Sequence, residues 1–144
     1  MSERHLHLAE PPAHYRVRPP LVTDCSLVAG TLFSEVWQAE ADRQLAGHEL
    51  HAPFLLQIEI ANVAVKKMRQ GFAEVAAHGL RQLESLAILL HRIDEAEVVA
   101  LAQRYTLSAY DAAYLWLAAD LRCALATFDQ RLAAAASDHL GSLP

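Results

Sequence analysis

Three short apolar runs punctuate a chain whose remaining apolar positions recur mainly at helical spacing. The runs are Leu21-Val22-Thr23-Asp24, Ala87-Ile88-Leu89-Leu90 and Ala124-Leu125-Ala126-Thr127, and each is too brief for a helix. Between the first two, the pattern predicts a helix from Leu27 to Ala46, with Val28, Leu32, Val36 and Leu45 on its apolar face and Gly47 as its stop. After a break at Leu50–Pro53 come helices over Phe54–Met68, stopped near Gly71, and Phe72–Leu86. Asp94-Glu95-Ala96-Glu97 has the form of a capping box and opens a helix through Arg104. Ser108-Ala109-Tyr110-Asp111 is a second such box, opening the very apolar helix Ala112–Leu121, and Asp129 opens a last one through Ala136. Strands alternating with helices predict parallel pairing in an α/β domain.

Residues 1–20 stand apart. They hold Pro11, Pro12, Pro19 and Pro20 with His5, His7 and His14, and proline pairs suit neither a helix nor a central strand. An irregular arm over 1–20, followed by one domain over 21–144, is the expected organisation. The length of 144 residues fits a single domain. Hydrophobic residues at 53% against 20% charged supply a sizeable core, and only 5 Gly with abundant Ala favour helix. The formal charge of −5, from 12 Lys+Arg and 17 Asp+Glu, argues against nucleic-acid binding by bulk charge. Two cysteines, Cys25 and Cys123, are too few for a four-thiolate zinc site. No uncharged apolar run approaches the roughly 20 residues of a membrane span. A cytoplasmic location with no membrane association is expected.

Most acids fall on polar helical faces. Four do not. Asp24 ends the first strand and Asp129 lies just past the third, so both reach the edge of a parallel sheet where ligands bind. Asp111 opens a helix with no charge from Ala112 to Ala119, and Glu59 sits within Phe54-Leu55-Leu56-Gln57-Ile58-Glu59-Ile60-Ala61. Asn62, Lys66 and Arg69 follow Glu59 at helical steps, a polar stripe on an otherwise buried helix. Singly, each acid has a plain structural reading: a turn, a helix cap, a capping box, a surface pair. Together, from four segments, they converge. Four such carboxylates repel, and without a cation some must take up protons. A hard divalent cation, Mg²⁺ or Mn²⁺, suits their oxygens.

At these residues the sequence resembles the PIN domain family, and within it the VapC-like toxins of toxin–antitoxin pairs. The segments are Val22-Thr23-Asp24-Cys25-Ser26, Leu55-Leu56-Gln57-Ile58-Glu59-Ile60-Ala61-Asn62, Ser108-Ala109-Tyr110-Asp111-Ala112-Ala113-Tyr114 and Leu125-Ala126-Thr127-Phe128-Asp129. The resemblance spans about Leu21 to Leu140. It implies a three-layer α/β/α sandwich with a short, mainly parallel sheet, and an endoribonuclease dependent on Mg²⁺ or Mn²⁺. Asp24, Glu59, Asp111 and Asp129 match the family's metal-binding and catalytic acids. Ser26, Asn62 and Thr127 match small polar positions beside them, while Lys66 and Arg69 are candidate phosphate contacts. A homodimer, a cognate antitoxin and an RNA substrate are implied by the resemblance alone.

Other acidic or nucleotide sites fit less well. A haloacid-dehalogenase-type phosphatase needs an Asp where Ser26 stands, and a receiver domain needs acids where Thr23 and Cys25 stand. The turn Asp24-Cys25-Ser26-Leu27-Val28-Ala29-Gly30 lacks the glycines of a nucleotide-binding loop. Cys25 has no evident His partner as a nucleophile. Tyr105, Tyr110, Tyr114 and Trp116 read as core and helix-interface packing, with base stacking as the lesser alternative. The alternative of another class is a non-catalytic interaction or RNA-binding module of the same fold.

Overall fold

The computed structural model describes Ala9 and residues 18–144. The expected arm over 1–20 therefore lies almost wholly outside the described residues. Four strands form one sheet in the order β3-β2-β1-β4, with every pairing parallel. β1 is Pro20–Thr23, β2 is Glu49–Pro53, β3 is Leu89–His91 and β4 is Ala124–Ala126. Among the described residues, seven α-helices accompany them: α1 Cys25–Leu32, α2 Gln38–Leu45, α3 Leu55–Arg69, α4 Ala73–Leu83, α5 Glu95–Tyr105, α6 Ala109–Leu121 and α7 Gln130–Gly141. The expected α/β sandwich is what is found.

The topology follows from the handedness of parallel crossovers. The chain steps from β1 to β2 to β3 in one direction, then returns past all three to place β4 beside β1. Opposite directions of travel put α1–α4 and α5–α6 on opposite faces. The strand order reverses between β1 and β4, and a parallel sheet opens a crevice at such a point. α6 is the buried spine. Ala112 through Leu115, Leu117 and Ala118 are fully buried, and the helix packs on β1, β2 and β4 as well as on α5 and α7. On the other side, Gly79 lets α4 press against the end of α1, since a Cβ there would stand 2.6 Å from the Leu32 carbonyl oxygen and the Phe33 ring.

Three expectations are corrected. The single helix over Leu27–Ala46 is two helices, because Ser34 turns into the left-handed region at φ 53° and Trp37 opens α2 afresh. Val36, placed on the apolar face by the pattern, is instead 97% exposed in the connection. The break at Leu50–Pro53 is the interior strand β2. Its His51 is buried by pairing, with Nδ1 2.8 Å from His91 Nε2 and Nε2 2.8 Å from Glu49 Oε1. The run Ala87–Leu90 is not a buried strand. Ala87 takes a left-handed turn at φ 50°, and β3 starts at Leu89 as an edge strand.

The caps were legible. Asp94 accepts from Glu97 N at 2.9 Å and Ser108 from Asp111 N at 3.1 Å. Among the described residues, no helix is long and apolar enough to cross a membrane.

Candidate active site

The apolar run of β1 carries Val22 and Thr23 into the core, and the next residue must leave the sheet. Asp24 does so in an extended conformation and turns its side chain back to cap α1. Its Oδ1 accepts from Ser26 N at 3.0 Å, Leu27 N at 3.3 Å and the Ser26 hydroxyl at 2.6 Å. Its Oδ2 accepts from the Thr127 hydroxyl, just past β4. Thr127 Oγ1 in turn accepts from Asp129 N at 3.0 Å, and Ser26 Oγ accepts from Phe128 N at 3.2 Å. The crevice between β1 and β4 is thus laced together through Asp24, Ser26 and Thr127. Asp129 caps α7 by accepting from Leu132 N at 2.8 Å and is exposed.

The other two acids come from helices. Asp111 occupies the third position of α6, half-buried, above the Ser108 cap. Glu59 projects from α3 and accepts the Tyr114 hydroxyl at 2.6 Å, tying α3 to α6 across the cleft. From sequence Tyr114 reads as packing or, less favoured, base stacking, and not as a partner of Glu59. The signal that could have found it is a phenol on an otherwise apolar buried helix, since a buried hydroxyl needs a partner.

The electrostatics show that the acids sense one another. Burial is the main cause raising the Asp24 carboxyl above its usual range, against the hydrogen bonds from Ser26 and Thr127. Glu59 is raised by burial and by the charges of Asp24 and Asp111, with the Tyr114 bond opposing. Asp111 is raised by burial and by the charges of Asp129 and Asp24. The same field pushes the neighbouring Cys25 thiol up to about 12, through burial and then Glu59 and Asp24. At neutral pH Cys25 is therefore a thiol and no nucleophile.

Among the described residues, no three acids, histidines or cysteines close into a ready cage for an ion. The donor set nevertheless fits a hard divalent cation that retains several waters, because every candidate ligand is a carboxylate and their mutual repulsion is what a cation relieves. Ser26 and Thr127 both touch Asp24, as their positions in the sequence suggested. Asn62 is exposed one turn beyond Glu59, and Lys66 and Arg69 are exposed further along α3. The expectation that α3 is otherwise buried is corrected: only Leu56, Ile60 and Ala64 are, and Ile58 is 75% exposed.

A parallel sheet of this order, with carboxylates gathered at its switch point, presents a ligand-binding crevice. The sequence profile of the PIN domain matches residues 22–138, and the chain belongs to the PIN domain family. VapC ribonuclease Mb0985 of Mycobacterium bovis is 35% identical over 117 residues, covering 78% of this chain and 87% of that protein. Ribonuclease VapC3 of Pyrobaculum aerophilum is 32% identical over 120 residues, covering 78% of this chain and 92% of that protein. The crystal structure of PAE2754 from Pyrobaculum aerophilum matches with a TM-score of 0.65 over 82% of this chain and 80% of that one, at 24% identity, which speaks for the fold.

The raised carboxyls carry a consequence for stability. A native carboxyl above its unfolded value favours folding most when protonated, so stability is full below the ordinary carboxyl range and is lost as pH rises through the raised native value. Asp111→Asn removes that penalty and keeps the Ser108 cap, which bonds to the backbone. In EDTA near pH 7 the variant should melt a few degrees above the parent, with the gap closing as pH falls towards 4. Thermal melts across that range decide it, and a variant that melts below the parent at pH 7 contradicts the repulsion.

Proposed function

We propose that this chain is a divalent-metal-dependent endoribonuclease that hydrolyses RNA phosphodiester bonds, acting in the cytoplasm as the toxin of a toxin–antitoxin pair. The observation that carries the reading is a set of carboxyls raised by burial and by one another, at the β1/β4 crevice of a chain 35% identical to a VapC ribonuclease.

Asp24, Glu59, Asp111 and Asp129 would hold Mg²⁺ or Mn²⁺. Such a cation, when bound, lowers the pKa of an attacking water and offsets charge on the phosphodiester oxygens. The protein's own part is orientation. Ser26 and Thr127 donate to opposite oxygens of Asp24 and fix its carboxylate plane. The Tyr114 hydroxyl, itself pushed up by burial and by Glu59, stays protonated and holds Glu59 into the cleft. Asn62, one turn along α3, would orient water or Glu59. Lys66 and Arg69 would contact the phosphates flanking the scissile one.

A second copy of the chain would cover the outer face of α3. Phe54, Ile58, Ala61, Val65 and Met68 follow at alternating steps of four and three, and all are exposed. That average of 3.5 is the spacing of a helix–helix seam. A helix that is apolar on two faces is normally covered on both.

Two measurements test this reading. Purified protein free of antitoxin should cleave a mixed RNA pool in Mg²⁺ or Mn²⁺ and leave single-stranded DNA intact. EDTA or bound antitoxin should stop cleavage, and Asp24→Asn or Asp111→Asn should slow it by about 100-fold or more. Cleavage that survives EDTA and both substitutions contradicts the mechanism. Absence of any cleavage with metal demonstrably bound moves the reading to a non-catalytic interaction or RNA-binding module. By light scattering the parent should be a dimer and Ile58→Glu a monomer; a strictly monomeric parent at high concentration contradicts the seam.

A further inference from the structure

We propose that Trp37 and Phe128 form a base-stacking platform that positions single-stranded substrate beside the acids, an inference that rests on the ribonuclease reading above. Neither ring belongs to the core. Trp37 is 39% exposed and Phe128 40% exposed, yet both are held in place. The Trp37 indole lies on Gly30, where a Cβ would stand 2.6 Å from its Cδ1 and Nε1 atoms. Its Nε1–H donates to the Ser26 carbonyl at 3.2 Å. Phe128 is held from the other side, its backbone N–H donating to the Ser26 hydroxyl at 3.2 Å. That same hydroxyl donates to Asp24 Oδ1 at 2.6 Å. One serine therefore anchors the Trp37 indole, the backbone that carries the Phe128 ring and a candidate metal-binding carboxylate. The rings contact each other at a centroid distance of 6.1 Å and a tilt of 58°, so they form a wedge and not a closed stack.

A phosphodiester held at Asp24 carries its bases within reach of a neighbouring ring. Base–aromatic stacking tolerates any base, because every base has a π-face. In a duplex the bases are shielded within the helix, whereas a single strand can splay them onto a side chain. The indole N–H is already spent on Ser26 and phenylalanine offers no polar group. The platform thus presents ring faces only. It grips a base without reading its edge, so it selects for single-stranded character and not for base identity.

Three readouts test the platform. Phe128→Leu keeps apolar bulk and the backbone donor but loses the ring. It should raise KM for single-stranded RNA by about 5- to 100-fold with kcat little changed, and Phe128→Tyr should restore the parent value. The chain has 2 tryptophans, so Trp116→Phe leaves Trp37 as the single indole. In that variant, emission should be quenched by a single-stranded oligouridylate, and far less by an abasic strand of equal length or by an RNA duplex. Oligouridylate and oligoadenylate should both quench it. Equal quenching by the abasic strand, or RNA cleavage with unmoved emission and an unchanged KM in Phe128→Leu, overturns the platform while leaving the ribonuclease reading standing. Quenching without cleavage by any variant supports the platform and removes the ribonuclease reading. Emission that answers only to a bound protein partner assigns the rings to that partner and overturns the inference.

Discussion

Carboxylates brought out of water at the crevice between β1 and β4 are the constraint on which the rest of this structure turns. The fold places Asp24 beyond a strand end, Asp111 in the first turn of a buried helix and Glu59 on a helix facing both. Each is raised by its own burial, and each is raised further, or raises a neighbour, through charge. A stable fold does not gather such groups unless something offsets their repulsion. The hydrogen bonds from Ser26, Thr127 and Tyr114 offset part of it and fix each carboxylate's direction.

The plain structural reading and the proposed metal-binding reading concern the same carboxylates. Asp129 caps α7, as its plain structural reading would have it, and Asp24, whose plain reading is a turn, caps α1. Capping does not exhaust them. Asp24 spends Oδ1 on three donors, while Oδ2 receives, among the described residues, only the Thr127 hydroxyl and keeps accepting capacity towards the cleft. In the proposed site, capping ties the direction of the Asp24 and Asp129 carboxylates to the starts of α1 and α7. Ser26 and Thr127 link the ends of β1 and β4 through their bonds to Asp24 and Phe128.

The sequence showed the parts of the fold that depend on local chemistry. The caps at Asp94, Ser108 and Asp129 could be read because a side chain three residues from its partner acts alone. Strand β1 could be read because its centre, Leu21-Val22, is apolar and the run stops at an acid, Asp24. Strand β2 could not, since Glu49, His51 and Pro53 look like a loop until His91, forty residues away, buries and pairs His51. The split of α1 from α2 was hidden because Val36 fits an apolar period that solvent exposure then denies. Tyr114 and the pair Trp37–Phe128 act through partners distant in the chain, and no spacing announces such a contact.

Repulsion among these acids is what a bound divalent cation would relieve. The most direct test is thermal unfolding of the unaltered protein in EDTA, in Mn²⁺ or Mg²⁺, and in NaCl of matched ionic strength. The divalent ions should raise the melting temperature well beyond the salt control, since a ligand present at 100 times its Kd adds about 2.7 kcal/mol to native stability. A melting temperature that responds to none of the divalent ions, or equally to NaCl, would contradict the account.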